Sequence, residues 1–286
     1  MKVVPFQIPK DGNEGIKIQQ ERLPHFYNHL HQHPEIQLTY IKESYGTIIA
    51  GDYVGPFAAG DIFMIGSNQP HVFRNDAVFF QSKKMKAEAI TLFFDDQIFG
   101  EEFWLLPELK NALAILQKSH GGYRITSLKK QLLLQDILEI TAASGIQRII
   151  LFLKIIQSLT QRNCLKPLSD KHSNKPINSF DGNRLNTIVE FSFKEFHRPI
   201  QLKEVAALAN MTVQAFCLYF KKRTRKTYIS FLNELRIQHA CRLLLEDKTI
   251  REVCYESGFT NLSNFNRIFM KIKGLTPGQF RKQHAS

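Results

Sequence analysis

Nothing in this sequence pairs its cysteines. Cys164, Cys217, Cys241 and Cys254 are the only four in 286 residues, and no two have the spacing of a metal knuckle or a redox pair. They fall mostly at apolar, helical positions and read as reduced core residues of a cytosolic protein, with a thiol redox sensor as the alternative. Long apolar runs are missing too. A membrane-spanning helix needs about 18 apolar residues, and the best candidate stretch, 146–159, is broken by Arg148 and Lys154. Met1 to Gly12 has no apolar segment of the kind a signal peptide needs. These absences argue against a disulfide scaffold and a membrane protein, and they make the cytoplasm the expected location.

Acidic charge is scarce at one end only. The chain carries 38 Lys and Arg against 26 Asp and Glu, a net charge of +12. Residues 184–286 hold 18 of those cations and 8 of those anions, so most of the excess sits in the last third. A basic domain of this kind is an electrostatic footprint for nucleic-acid phosphate. Its densest run is Lys221, Lys222, Arg223, Arg225 and Lys226. Alone, that run would be a solvated helix end favoured by the helix dipole; its neighbours point elsewhere.

Those neighbours form a helix-turn-helix pattern that occurs twice. The first copy is Leu202 to Ala209, a turn at Asn210-Met211, then Thr212 to Lys222. The second is Ile250 to Phe259, then Thr260 to Lys271. Thr249 with Glu252 fits a capping box, and Ser257-Gly258 supplies the turn. Thr212 and Thr260 are the expected caps of the second helix of each copy. Helical spacing turns Phe216 and Phe220 inward in the first copy, and Phe265, Ile268 and Phe269 in the second. The outward sets are the expected DNA contacts: Thr212, Gln214, Cys217, Leu218, Lys221 and Lys222, then Asn261, Leu262, Ser263, Asn264, Arg267 and Lys271. Asn suits adenine edges and Arg suits guanine edges. Between the copies, Tyr228 to Glu246 has an apolar stripe and no Pro or Gly, so a continuous helix is expected to set the distance between two reading heads.

The residues Phe231-Leu232-Asn233-Glu234-Leu235-Arg236-Ile237, Val253 to Phe259, Asn264 to Phe269 and Gly274 to Arg281 give this block a strong resemblance to the DNA-binding domain of AraC/XylS transcription regulators. The resemblance spans about residues 184–283 and implies an all-helical double helix-turn-helix domain that binds promoter DNA and contacts RNA polymerase. Two positions depart from the family pattern. Leu218 stands where Arg is common, and Arg225 where a Gly often ends the helix. The first copy is therefore expected to lean on phosphate contacts.

The first hundred residues differ in texture. Short apolar runs at 36–41, 46–51, 61–66 and 70–73 are punctuated by Gly and Pro, as in a β-barrel or sandwich. His31-Gln32-His33-Pro34-Glu35, Gly46, Pro56, Gly60-Asp61 and Asn68-Gln69-Pro70-His71 resemble the sensor cupin of the same regulators over about residues 15–95. Strand alternation would put His31, His33 and Glu35 on one face, with His71 joining from a distance. These four are the candidate ligand-binding residues. They are also a sensible set for a divalent ion, although Gln37 or Leu38 stands where enzymatic cupins place a Glu; the expectation is a structural role or contact with an organic ligand, with no metal and no cofactor. From Phe103 to Lys166 the pattern is helical, with two long amphipathic helices separated near Gly145. The resemblance implies that they dimerise, while their spacing alone fits helices covering a barrel.

The expected whole is a multidomain α+β protein. Residues 1–102 form a cupin-like sensor barrel, 103–166 a helical dimerisation or coupling segment, 167–183 a polar linker, and 184–286 the double helix-turn-helix domain. The expected function is sequence-specific transcription regulation, acting as an activator on double-stranded promoter DNA. Control comes from a small-molecule effector, sugars being common in the family, and the state is a homodimer. No catalytic residue is expected. The opposing class is a metal cupin enzyme joined to a DNA-binding tail; a third reading makes the cupin a dimer module without ligand.

Overall fold

The computed structural model describes residues 15–82, 84–95, 97–126, 130–161, 164–169 and 179–284, with the backbone only at 179–182. The chain divides into two compact units, one chiefly of strands and helices up to residue 178 and one made chiefly by residues 179–286.

The N-terminal unit is built on two antiparallel sheets. The larger has the order β1 (Ile16–Leu23), β7 (Ala87–Phe94), β2 (Ile36–Glu43), β5 (Ile62–Ile65), β8 (Tyr123–Ile125) and β9 (Leu165–Pro167). The smaller has the order β4 (Tyr53–Ala58), β3 (Tyr45–Ala50) and β6 (His71–Asn75). Period-two alternation gives the larger sheet two different faces. Ile36, Leu38, Ile62, Met64, Ile90, Leu92 and Phe94 point to one side. There they pack against Trp104 of α2 (Glu101–Trp104), Leu116 of α3 (Lys110–Gln117), Leu133 and Ile137 of α4 (Lys130–Glu139), and Phe152 and Ile155 of α5 (Gly145–Leu159). On the other side Ile41, Phe63, Ile65 and Ala89 meet Ile48, Phe57 and Phe73 of the smaller sheet and Phe79 of α1 (Ala77–Gln81). That inter-sheet core becomes polar toward β1, where Gln19, Thr91 and Thr39 lie in one cross-strand row.

The two amphipathic helices expected before and after Gly145 are α4 and α5, and their inner faces complete the core on the outer side of the sheet. Leu128 and residues 127–129 lie outside the described residues, as does most of the expected linker at 170–178. Pro167 belongs to β9 and Ser179 begins α6 (Ser179–Glu195). Strands β1, β4, β7, β8 and β9 were not anticipated. β8 and β9 are three residues each and carry too few alternations to register as strands within a helical stretch.

The C-terminal unit is all helical: α6, α7 (Leu202–Leu208), α8 (Val213–Thr224), α9 (Tyr228–Leu243), α10 (Ile250–Glu256), α11 (Leu262–Lys273) and α12 (Pro277–His284). The connector α9 has 16 residues, about 24 Å at 1.5 Å per residue. It serves two cores. Near its start, Tyr228 and Phe231 join a ring cluster with Phe216 and Phe220 of α8. Further on, Ile237, Ala240, Cys241 and Leu244 pack with Val253, Phe259, Phe265 and Phe269 around α10 and α11. Among the described residues no helix is long and apolar enough to cross a membrane.

Candidate nucleic-acid interface and ligand cavity

Each helix-turn-helix is set by its caps and its turn. In the second copy, Thr249 Oγ1 accepts from the Glu252 amide while Glu252 Oε2 accepts from the Thr249 amide at 2.7 Å, the expected capping box. In the first, Glu204 Oε1 accepts from the Gln201 amide at 2.9 Å. The turns need left-handed backbone: Asn210 has φ 53° and Gly258 φ 82°. At Gly258 a side chain is also excluded by space, because a Cβ would overlap the Phe196 carbonyl oxygen. That carbonyl accepts from Arg236 Nε at 2.8 Å, and Arg236 Nη2 reaches the Arg198 carbonyl at 2.8 Å. Arg236 thereby ties the connector α9 to the turn before α7, with its guanidinium over the Phe259 ring.

Thr212 caps α8, its hydroxyl accepting from the Ala215 amide at 3.3 Å. The expected cap at Thr260 is corrected: Asn261 occupies that position, and its side-chain oxygen accepts from the Asn264 amide at 2.8 Å. Asn is as good a cap as Thr or better, so the helix starts one residue later. Asn264 Oδ1 in turn accepts from Arg267 Nη2 at 2.8 Å, fixing the guanidinium along the outer face of α11.

The inward residues are as expected: Phe216, Phe220, Phe265 and Phe269 are fully buried and Ile268 nearly so. The outward sets share one face of each helix. Thr212, Gln214, Cys217, Leu218, Lys221 and Lys222 are exposed on α8 and its cap. Asn261, Leu262, Ser263, Arg267 and Lys271 are exposed on α11 and its cap, and Asn264 is half-buried. Leu218 is 73% exposed, an apolar side chain standing out in a basic surface. Lys226 leaves the basic run, paired to Glu234 at 2.6 Å. Arg225, noted as a departure, closes α8 in the left-handed conformation with φ 58°, matching Gly274 at the end of α11 with φ 70°.

In the N-terminal unit the histidines gather as expected, but not by strand alternation. Residues 32–35 are not in a strand. β2 begins only at Ile36, after Pro34, while His31 makes an isolated bridge to His71 with mutual backbone hydrogen bonds. His31, His33 and His71 each bring a ring nitrogen within 4.8 Å of the others. Glu35 stands outside that group, its carboxylate 3.6 Å from His33 Nδ1. Burial holds all three rings neutral. It lowers His31 to about 4, and it lowers His33 as well. His71 lies well below the ordinary value, first through burial and then through His31 and His33.

Gln37 organises the cluster. Its Oε1 lies 2.9 Å from Nε2 of both His33 and His71, and its Nε2 donates to Thr39 Oγ1 at 2.7 Å. His71 Nδ1 also faces the Gln69 carbonyl at 2.8 Å, so a neutral His71 meets two acceptors with one proton. A half-turn of the Gln37 amide resolves this: its NH2 then donates to both rings and its oxygen accepts from Thr39. The converging imidazole nitrogens are donors suited to a borderline transition metal as well as to an organic ligand.

Beside the cluster lies a cavity of about 50 Å3 lined by Gln19, Glu21, Tyr27, His31, Gln37 and Thr39 with Phe73, Thr91 and Phe93. Desolvation raises the Glu21 carboxyl, a hydrogen bond from Gln19 partly opposing it. Of the four expected ligand residues, only His31 lines this cavity; His33 and His71 stand behind Gln37. Gln19, Glu21, Thr39 and Thr91 escaped the sequence reading. Their signal is polar residues at the inward phase of strands, and it is legible only once β1 and β7 are known.

Residues 205–283 match the family described as "Helix-turn-helix domain". The MmsAB operon regulatory protein of Pseudomonas aeruginosa is 30% identical over 91 residues, which are 32% of this chain and 30% of that protein. The match thus takes in under a third of that relative. A probable AraC family transcriptional regulator from Rhodopseudomonas palustris is 22% identical, with 36% of this chain and 99% of that one covered and a TM-score of 0.34. ToxT from Vibrio cholerae O395 is 10% identical, with 94% of this chain and 97% of that one covered and a TM-score of 0.37. Capping, turns and the family match agree on one point: residues 205–283 of this chain form a helix-turn-helix domain.

Proposed function

We propose that the protein is a sequence-specific transcription regulator whose two exposed helices, α8 and α11, read promoter DNA. The observation that carries this reading is the pairing of two outward helix faces, each polar and basic, on one α-helical scaffold joined by the unbroken α9. Arg267, held by Asn264, is the base-reading residue, suited to a guanine edge. Asn261 and Thr212 direct their side-chain oxygens to helix caps, so they serve mainly to place amides near phosphate. Leu218 suits a thymine methyl group, and Gln214, Cys217, Leu262 and Ser263 complete the two faces. Lys221, Lys222 and Lys271 supply phosphate contacts.

The N-terminal unit is proposed as a cupin-type sensor of a small organic effector. Its support is the cavity between β1, β7 and β2, where Glu21, Gln19 and Thr39 offer hydrogen bonds beside aromatic walls. His31 touches the effector directly, and His33, Glu35 and His71 hold the cluster in place. Homodimerisation through α4 and α5 is supported by the apolar residues these helices leave exposed: Leu132, Leu138, Ile146, Ile149 and Ile150. In this reading the protein acts in the cytoplasm as an activator, and the DNA-bound dimer engages RNA polymerase. An effector switches it only by binding two arrangements of the protein unequally.

The test is recovery of genomic DNA fragments on purified protein at near-physiological salt, with random DNA as competitor. A motif with two half-elements about one helical turn apart is the expected result. Retention without any motif refutes sequence reading. Sedimentation at low micromolar concentration tests the dimer, and a strict monomer removes it.

A further inference from the structure

The far edge of the larger sheet carries positive charge that no other described residue balances. Arg124 on β8 and Lys166 on β9 are directly opposed in the strand register. Like charges directly opposite each other destabilise an antiparallel pair. Lys130, at the start of α4, is a third cation in the same place. Burial lowers its amine; Asp61 opposes that shift and Arg124 adds to it.

Among the described residues Asp61 is the one carboxylate lining this region, and both its oxygens are engaged. Both its oxygens accept from Arg124 Nη2, at 2.8 and 2.9 Å, and Oδ2 also accepts from the Ala58 amide at 2.9 Å. Neither Lys130 nor Lys166 has a hydrogen-bond or ion-pair partner among the described residues. The rest of the Arg124 guanidinium is likewise unengaged there, although the group is held in place over the Phe63 ring. The three cations border a cavity of about 390 Å3, with Tyr53 and Thr126 among its other lining residues. That volume falls in the range of small-molecule sites. Its lining shares no residue with the histidine-side cavity.

We infer that this cavity is a second ligand site, which binds a small multivalent oxyanion, a phosphorylated or polycarboxylate metabolite, between Arg124, Lys130 and Lys166. Arg124, fixed by Asp61, presents a planar donor edge that matches an oxyanion. The two lysines approach as point charges and neutralise the remainder. The bound anion removes the cross-strand repulsion between β8 and β9, and so ties β9 and α4 more firmly to the sheet.

The test uses the full-length protein and two probes, inorganic phosphate and citrate, titrated by calorimetry at constant ionic strength. Saturable binding is expected with at least one probe. Lys130→Gln and Lys166→Gln are each expected to weaken it about tenfold, the loss of one charge-assisted contact. Lys221→Gln, on the DNA-binding surface, is expected to leave it unchanged. Phosphate binding tighter than citrate identifies a phosphorylated ligand, and the reverse order a polycarboxylate. Should Lys166→Gln not fold, Lys130→Gln carries the comparison alone. Binding that survives at Lys130 and Lys166 and is lost in Lys221→Gln places the anion on the DNA-reading helices and overturns the inference. So does binding indifferent to all three substitutions, or no saturable binding with either probe.

Discussion

Arg267 shows how a side chain is prepared before its partner arrives. Its Nη2 already donates to Asn264 Oδ1, so part of its rotamer freedom is lost before DNA binds. Arg267→Ala should cost about 1–3 kcal/mol on the specific site and much less on random DNA, read by competition binding at fixed salt. An equal loss on both would make it a phosphate contact. Two glycines separate conformational from steric need. Gly274 has φ 70° and nothing within 4 Å of the place a Cβ would take, so Gly274→Ala should lower stability only by the left-handed penalty of about 1 kcal/mol. Gly258 has φ 82°, and there a Cβ would overlap a backbone oxygen. Gly258→Ala should therefore cost more than about 3 kcal/mol, or leave the C-terminal unit unfolded. Denaturant titration of both variants decides, and equal costs would contradict the packing at Phe196.

At the scale of elements, α8 and α11 divide the work of binding. α8 ends in Lys221 and Lys222, whose exposed ammonium groups serve phosphate. Lys221→Gln should weaken binding to every sequence alike and reduce the slope of log K against log salt by about 0.9. An unchanged slope would place Lys221 away from the backbone. The C-terminal helices were legible in the sequence because capping, turn and apolar period all point the same way at Thr249, Gly258 and Phe265. The Thr260 cap was misplaced because Thr and Asn are adjacent and both cap well, so only the backbone decides between them. The N-terminal unit was harder to read. β7 is buried along nearly its whole length, so it has no exposed alternation to find. β8 and β9 are held by their neighbours rather than by their own pattern. The histidines were legible as a group, but that Gln37 joins them is visible only in the fold.

Across the whole molecule, each unit buries neutral histidine, and this sets its response to acid. His31 in the N-terminal unit and His239 in the C-terminal unit are both lowered to about 4, in each case chiefly by burial. An unfolded histidine titrates near pH 6.5. Between about pH 6.5 and 4 the unfolded chain therefore binds protons that the folded chain refuses, and stability falls as pH falls. Each such group contributes at most about 1.4 kcal/mol per pH unit, and His33 and His71 add to the N-terminal share because burial lowers them too. Above pH 6.5 both states are neutral at these positions and the contribution is constant. Urea unfolding of the full chain at pH 7.5, 6.5, 5.5 and 4.5 should show little change over the first step and growing loss over the next two. His239→Gln should flatten the loss for the C-terminal unit, and His71→Gln for the N-terminal unit. A wild-type loss that both variants reproduce unchanged would assign the acid sensitivity to carboxylates and remove the buried imidazoles from the account.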